Sequence, residues 1–272
     1  MKLLVSDIDG TLYWYNKQNN KGVSDKCRTA IRNWMDAGNR FAVATARVHT
    51  VRDAVMDDLQ MNIDYLGGNG AEIIFFDGSE KFHSLPVSYF LEAGKWIDEN
   101  HINATVKMCV DHQFITYRHD NYPFACESRM RMNLRRSVPY QSIELNDLST
   151  GVNMSVLTHP DVTKQVESEL QKLFEGRCIV QANDIDNIDF IPLKVGKDKA
   201  ILQLAEHYGI SMKDVIVIGD AANDICMFEI TENSYCMSHS DITIQKKASF
   251  VVDLVEEAIE RELKKMGDLN NE

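Results

Sequence analysis

The chain has no long apolar run. Nothing in it approaches the ~20 consecutive apolar residues of a membrane-spanning helix, so no membrane partner is expected. The amino terminus offers one lysine and a short apolar run before Ser6-Asp7, too little for a secretory signal. Cysteines are few and dispersed: Cys27, Cys109, Cys126, Cys178, Cys226 and Cys236 form no Cys-x-x-Cys pair. That pattern argues against a zinc or disulfide framework and fits reduced thiols in a cytoplasmic chain. The eight histidines show no metal-ligand spacing. Basic charge is also short, with 29 Lys and Arg against 41 Asp and Glu and a formal net charge of -12. A general nucleic-acid partner needs the opposite balance. Internal repeats and low-complexity tracts are missing. What remains is 272 residues, enough for one large or two modest domains with a proper core.

The most informative stretch is Leu3-Leu4-Val5-Ser6-Asp7-Ile8-Asp9-Gly10-Thr11. A short apolar strand ends in two aspartates one residue apart, with Gly10 as its exit turn. Alternate residues of an extended segment point the same way. Asp7 and Asp9 are therefore expected side by side, where like charges repel unless a cation or a reaction uses them.

Helix and strand signals alternate through the first third. Ser24 is an N-cap candidate for a helix carrying Cys27, Ala30, Ile31 and Trp34, with Gly38 as its stop. Phe41–Ala44 is the next strand and ends at Thr45. Val48, Val51, Val55 and Leu59 mark another helix. Ile63–Leu66 leads into the loop Gly67-Gly68-Asn69-Gly70, and Ile73–Phe82 reads as a hairpin. The middle third reads as a separate α+β module of antiparallel strands with helices. The last third returns to strict alternation: a helix from about Lys197 to Tyr208, then the β-branched run Val215–Ile218 of a central parallel strand. Gly219-Asp220-Ala221-Ala222-Asn223-Asp224 follows it. A closing helix runs through Val255, Ile259, Leu263 and Met266, with 267–272 as a frayed tail.

The economical fold is α/β: a Rossmann-like parallel-sheet core (1–83 and 190–272) with an inserted α+β domain (84–189). In open parallel sheets, functional groups collect at the carboxyl ends of the strands. Asp7 with Asp9, Thr45, Asn69, and Asp220 with Asn223 and Asp224 each follow a strand. Such an acidic cluster calls for a hard divalent cation with oxygen ligands, Mg²⁺ rather than Zn²⁺. Lys194, Lys197 and Lys199 crowd the start of a helix, the wrong end for cations. A phosphate in the crevice would account for the metal and for at least one lysine.

Asp7-Ile8-Asp9-Gly10-Thr11, Thr45-Ala46-Arg47, Lys197 and Gly219–Asp224 resemble, in order and separation, the four motifs of the haloacid dehalogenase (HAD) superfamily. Asn69-Gly70-Ala71 and the mid-chain insertion are similar to the Cof-like phosphatases with a type IIB cap. The resemblance implies a phosphatase whose nucleophile is Asp7, forming an aspartyl-phosphate, and whose acid and base is Asp9. It implies phosphate contacts from Thr45, Ala46, Lys197 and Asn223. Mg²⁺ would be held by Asp7, the backbone carbonyl of Asp9, Asp220, and Asp224 directly or through water. The substrate would be a small phosphorylated metabolite, a sugar phosphate or phosphorylated cofactor, handled by a monomer or homodimer. Asn69, Gly70, Arg118 and Arg129 are the substrate-binding candidates, with His119, Arg131, Arg135 and Arg136 beside them. Ala46 stands where glycine is usual but still offers its backbone N–H. Met237-Ser238-His239-Ser240-Asp241 replaces the common Met-Gly-Asn-Ala.

Rival readings are a phosphomutase or phosphotransferase with the same Asp7 chemistry, a phospho-acceptor signalling module, and a silent binding protein on the same fold. Release of inorganic phosphate separates the first from a phosphatase. Signalling modules are about half this length and lack the insertion, and the intact Asp7/Asp9 pair argues against silence. A nicotinamide site is unsupported, because Gly67-Gly68-Asn69-Gly70 lacks the GxGxxG spacing.

Overall fold

Strand β1 (Leu3–Ser6), buried along its whole length, lies in the middle of a sheet in the computed structural model, which describes residues 1–13, 22–111, 113–118, 137–146 and 149–269. It pairs in parallel with β2 (Arg40–Ala44) on one side and with β13 (Val215–Gly219) on the other; Leu3 faces both Arg40 and Val215. Beyond β2 come β3 (Asp64–Gly67), β4 (Glu72–Ile74) and β5 (Glu80–Phe82); beyond β13 come β14 (Ser234–Met237) and β15 (Phe250–Val252). The order is β15-β14-β13-β1-β2-β3-β4-β5. Sequence neighbours diverge to opposite sides at β1, the kind of switch point that opens a crevice at the strand ends.

Strands buried on both faces need apolar side chains at successive positions, and these have them. Leu4, Val43, Ile216 and Ile218 pack with Ile31 and Trp34 of α1 (Asp25–Asp36), Leu59 of α2 (Arg52–Leu59) and Ile259 of α8 (Val255–Leu269). Leu3, Val5, Ala42 and Val217 pack on the other face with Ala200, Ile201 and Leu204 of α5 (Lys197–His207). The one-turn helices α6 (Ile225–Phe228) and α7 (Ile242–Gln245) follow β13 and β14. Ser24 caps α1 by accepting from the Cys27 amide at 3.0 Å.

Two expectations change. The helix read from Val48 to Leu59 is a single 3₁₀ turn, His49–Val51, followed by α2, because the Thr45–Val48 loop is pinned to its neighbours rather than wound. The tail read as frayed from Gly267 is helical at its start: α8 continues through that glycine to Leu269.

The contacts divide the chain into two compact units, residues 1–81 with 196–272, and residues 82–195. The second holds β6 (Leu85–Pro86), β7 (Ala104–Val110), β8 (Gln113–Thr116), β9 (Val138–Pro139), β10 (Thr150–Thr158), β11 (Cys178–Asp184) and β12 (Asn187–Pro192). Its sheet runs β11-β12-β10-β7-β8-β9, with β6 paired to β10. Helices α3 (Val87–Glu99) and α4 (Thr163–Leu173) bury Phe90, Ile97, Val166 and Leu170 against Val106 and Val156 on one face of that sheet. Among the described residues no helix is long and apolar enough to cross a membrane.

Candidate active site

The site is assembled at the carboxyl ends of β1, β2 and β13 and at the first residue of α5. The Asp7 amide donates to Ile218 O at 2.9 Å, which carries the β1–β13 pairing one residue past the strand and fixes the aspartate backbone. Asp7 is buried. The Lys197 ammonium, 1% exposed, donates to Asp7 Oδ1 and to Asp224 Oδ1, both at 2.6 Å. Asp224 is wholly buried, and its Oδ2 accepts from the amides of Asp220 and Ala221 at 3.0 Å each. Capping therefore occupies one oxygen of Asp224 and the lysine the other. Asp220 accepts at Oδ1 from the Thr11 hydroxyl at 2.8 Å.

The electrostatics follow from this crowding. Burial pushes Asp7 up to about 8, with Lys197 pulling it down and Asp224 pushing it further up. Burial likewise raises Asp220 to about 6, against the Thr11 hydrogen bond. Burial alone would discharge Lys197, but Asp224 and Asp7 hold its proton firmly. Three carboxylates thus share one ammonium. Asp7, Asp220 and Asp224 each offer an oxygen, all within 4.8 Å of one another. Surplus negative charge and hard oxygen donors suit a divalent cation of the Mg²⁺ or Ca²⁺ type.

Asp7 and Asp9 do not share one environment. The strand stops at Ser6, so the alternation that was to align them no longer applies. Arg47 grips the Asp9 carboxylate with both arms of its fork, Nε to Oδ2 at 2.7 Å and Nη2 to Oδ1 at 2.5 Å. Arg47 is held in turn. Its carbonyl accepts from the Tyr65 hydroxyl at 3.2 Å and the Gly68 amide at 2.9 Å. Next along the loop, Glu72 takes the His49 amide at 2.6 Å. The sequence reading included Arg47 in the second motif but gave it no role. An arginine two residues beyond a strand-end threonine was the available signal.

Thr45 is buried, and its hydroxyl accepts from the Arg47 amide at 3.1 Å; Ala46 beside it is half-buried. Asn223 is exposed, and its amide reaches Asn69 Oδ1 at 3.4 Å, linking the β13 and β3 loops. Asn69 holds a left-handed φ of 54°. Gly70 has a structural reason to be glycine: φ is +92°, and a Cβ would stand 2.2 Å from Gly196 O. That contact seats the β3 loop against the residue before Lys197. Gly10 is equally constrained, with φ +84° and a Cβ position 2.3 Å from Asp220 Oδ2. Of the lysines on α5, Lys197 enters the cluster and Lys199 pairs with Asp198 at 3.1 Å. The divergent 237–241 loop does reach the site, with His239 Nε2 3.8 Å from Asp220 Oδ2.

Arg118 belongs to the second unit, where its Nε donates to Asp98 at 2.6 Å and its Nη1 to Ile102 O at 2.9 Å. Its guanidinium thus has partners on α3 and in the turn after it. Arg129, with His119, Arg131, Arg135 and Arg136, lies outside the described residues.

Strand-end aspartates, a lysine between two of them and an inserted second unit define a class, and comparison with known proteins gives it a name. The chain belongs to the haloacid dehalogenase-like hydrolases, whose family model matches residues 4–261. It is 26% identical to the 5-amino-6-(5-phospho-D-ribitylamino)uracil phosphatase YwtE of Bacillus subtilis, over 92% of each chain. It is 24% identical to the pyridoxal phosphate phosphatase YbhA of Escherichia coli, over 92% of this chain and 93% of that one. A haloacid dehalogenase-like hydrolase from Bacteroides thetaiotaomicron shares the fold, with a TM-score of 0.79 at 22% identity, covering 96% of this chain and 98% of the other. The protein is therefore an enzyme of the hydrolase class, and the curated relatives named here are phosphatases.

Proposed function

We propose that this hydrolase is a Mg²⁺-dependent phosphatase of small phosphorylated metabolites that works through an aspartyl-phosphate on Asp7. The observation that carries the reading is the Lys197 ammonium set between Asp7 and Asp224, with Asp220 in the same cluster. An Asp7 oxygen attacks phosphorus, the bond to the leaving oxygen breaks, and Asp9 gives that oxygen a proton. Asp9 then takes a proton from the water that attacks the phosphoenzyme, releasing inorganic phosphate and restoring Asp7. Both Asp9 oxygens accept from Arg47, so one of these contacts must open for an oxygen to carry the proton that Asp9 gives to the leaving group. Lys197, Thr45 and the Ala46 amide receive the phosphoryl oxygens, and Asn223 orients the loop that carries Asp224.

Mg²⁺ would be held by Asp7, the Asp9 backbone carbonyl and Asp220; bound there, it offsets the repulsion between a carboxylate and a phosphate dianion. Both oxygens of Asp224 already have donors, which supports contact through water rather than direct ligation. The names of the relatives support a phosphorylated cofactor or sugar-like metabolite as substrate.

The test is release of inorganic phosphate from a panel of phosphorylated metabolites with Mg²⁺. Wild type should release it, and Asp7→Asn and excess EDTA should each abolish release. Retention of more than a trace of turnover by a pure Asp7→Asn sample would overturn the nucleophile. Transfer of the phosphoryl group to a second metabolite, without free phosphate, would identify a phosphotransferase instead.

A further inference from the structure

Two buried polar side chains of the first unit have no place in the mechanism above. Tyr65 lies within β3 and Glu72 opens β4, and both are wholly buried. A buried carboxylate is costly unless its oxygens are matched. Those of Glu72 face one residue of the loop after β2: Oε2 accepts from the His49 amide at 2.6 Å, and Oε1 lies 3.2 Å from His49 Nδ1. The Tyr65 hydroxyl turns to the same loop. It shares its proton between the carbonyls of Arg47 at 3.2 Å and Val48 at 3.1 Å. Three successive residues, Arg47, Val48 and His49, are thus fastened by side chains of β3 and β4.

The fastenings converge on Gly67. A Cβ there would stand 2.7 Å from Tyr65 Cε1, 2.8 Å from Glu72 Oε2 and 2.9 Å from Arg47 O, so only glycine lets the ring, the carboxylate and the loop carbonyl meet. The next amide, Gly68 N–H, adds a second donor to Arg47 O at 2.9 Å. The Arg47 backbone is therefore held by buried groups, whereas its side chain is not. The Arg47 and Asp9 side chains are 30% and 35% exposed, and ion pairs open to solvent hold their members weakly. Asp9 alone does not keep Arg47 in place. Yet proton transfer makes a strict demand on that arginine: one contact to Asp9 must open while the other keeps the carboxylate aimed. A guanidinium on a long, flexible stem meets that demand only if its root is fixed.

We propose that Tyr65 and Glu72 are positioning residues for the acid step: they fix the backbone from Arg47 to His49, and through it the reach of the Arg47 guanidinium over Asp9. Neither touches the reacting atoms. Their effect is confined to the step in which Asp9 gives a proton to the leaving oxygen, or takes one from water. The proposal rests on the phosphatase reading above, with Asp9 as its acid and base.

The experiment measures kcat for wild type, Tyr65→Phe, Glu72→Met, Glu72→Gln, Asp9→Ala and the double variant Asp9→Ala/Tyr65→Phe. The substrates are p-nitrophenyl phosphate and whichever alkyl phosphate wild type hydrolyses fastest among ribose 5-phosphate, glucose 6-phosphate and pyridoxal 5′-phosphate. Tyr65→Phe deletes one donor and should lower kcat on the alkyl phosphate about fivefold, with the loss on p-nitrophenyl phosphate within about twofold. Glu72→Met deletes the acceptor of the His49 amide and should lower it about tenfold with the same bias. Glu72→Gln keeps an oxygen for that amide and should recover most of the loss. Tyr65→Phe should cost nothing further on the alkyl phosphate once Asp9 is alanine, because both act on one step. If Glu72→Met does not fold, Tyr65→Phe and the double variant carry the test. No loss, equal losses on the two substrates, or a full further loss in the Asp9→Ala background would make these side chains purely structural and overturn the proposal while the phosphatase reading stood. An Asp9→Ala variant without leaving-group bias would remove the acid and the proposal with it. No phosphate release by wild type from any of the four substrates would overturn both readings.

Discussion

At the scale of single residues, the site is a set of side chains each with a prior engagement. Asp9 is the clearest case, since both its oxygens are held by Arg47. If Asp9 is the acid, its removal matters most where the leaving group is poor. Asp9→Ala should lower kcat on an alkyl phosphate about a hundredfold or more, and far less on p-nitrophenyl phosphate, whose leaving oxygen hardly needs a proton. Equal losses on the two, measured as steady-state rates at saturating substrate, would remove Asp9 from that role. Thr11 supplies a second case. Its hydroxyl is the donor that orients Asp220. Thr11→Val keeps the shape and deletes the donor. The Mg²⁺ concentration for half-maximal activity should rise about tenfold, with a smaller change in kcat at saturating metal. A metal titration of the variant that overlays wild type would show that the hydroxyl is idle.

At the scale of elements, legibility followed the length and purity of the pattern. Val215–Ile218 is continuous and β-branched, and it forms β13 with one residue added. The helix expected from about Lys197 to Tyr208 forms α5 with its end one residue earlier. The acidic cluster was legible for the same reason: strand ends can be read, and Asp7, Asp220 and Asp224 stand at or just beyond two of them. What escaped was set by contacts between loops distant in sequence. The Arg47 pairing depends on where β1 stops, and hydrophobic pattern gives strand ends only to within a few residues. Gly70 was read as a substrate contact; its close approach to Gly196 O is a further reason for glycine there. Replacing it tests that reading of the element. Gly70→Ala must relieve both a left-handed φ and a backbone clash, so it should destabilise the protein by about 2 kcal/mol. It should also lower kcat on every substrate alike, because the displaced residue precedes Lys197. Urea melts and p-nitrophenyl phosphate rates check the two halves of this prediction.

At the scale of the whole molecule, the acidic cluster couples stability to metal. Three carboxylates share one ammonium, and a cation bound only by the folded protein favours folding. At a Mg²⁺ concentration a hundredfold above its Kd, the gain should be about 2.7 kcal/mol, equivalent to a rise of roughly 5–10 °C in Tm for a chain of this size. Asp220→Asn should erase most of that rise and, by easing the repulsion, lift the Tm measured in EDTA. A melting temperature indifferent to Mg²⁺ in the wild type would contradict the metal site.

The position of β1 has a consequence for synthesis. β1, in the middle of its sheet, is made before both of its neighbours, β2 on one side and β13 on the other. β2 arrives early, but β13 is encoded beyond the entire inserted unit. Until then the growing chain presents a bare, apolar strand edge, open to pairing with any other chain. The second unit, continuous in sequence, can complete itself first. The nascent protein is therefore inactive until its last third appears, and the same long wait that assembles Asp7 with Lys197 is the period in which it most needs a chaperone.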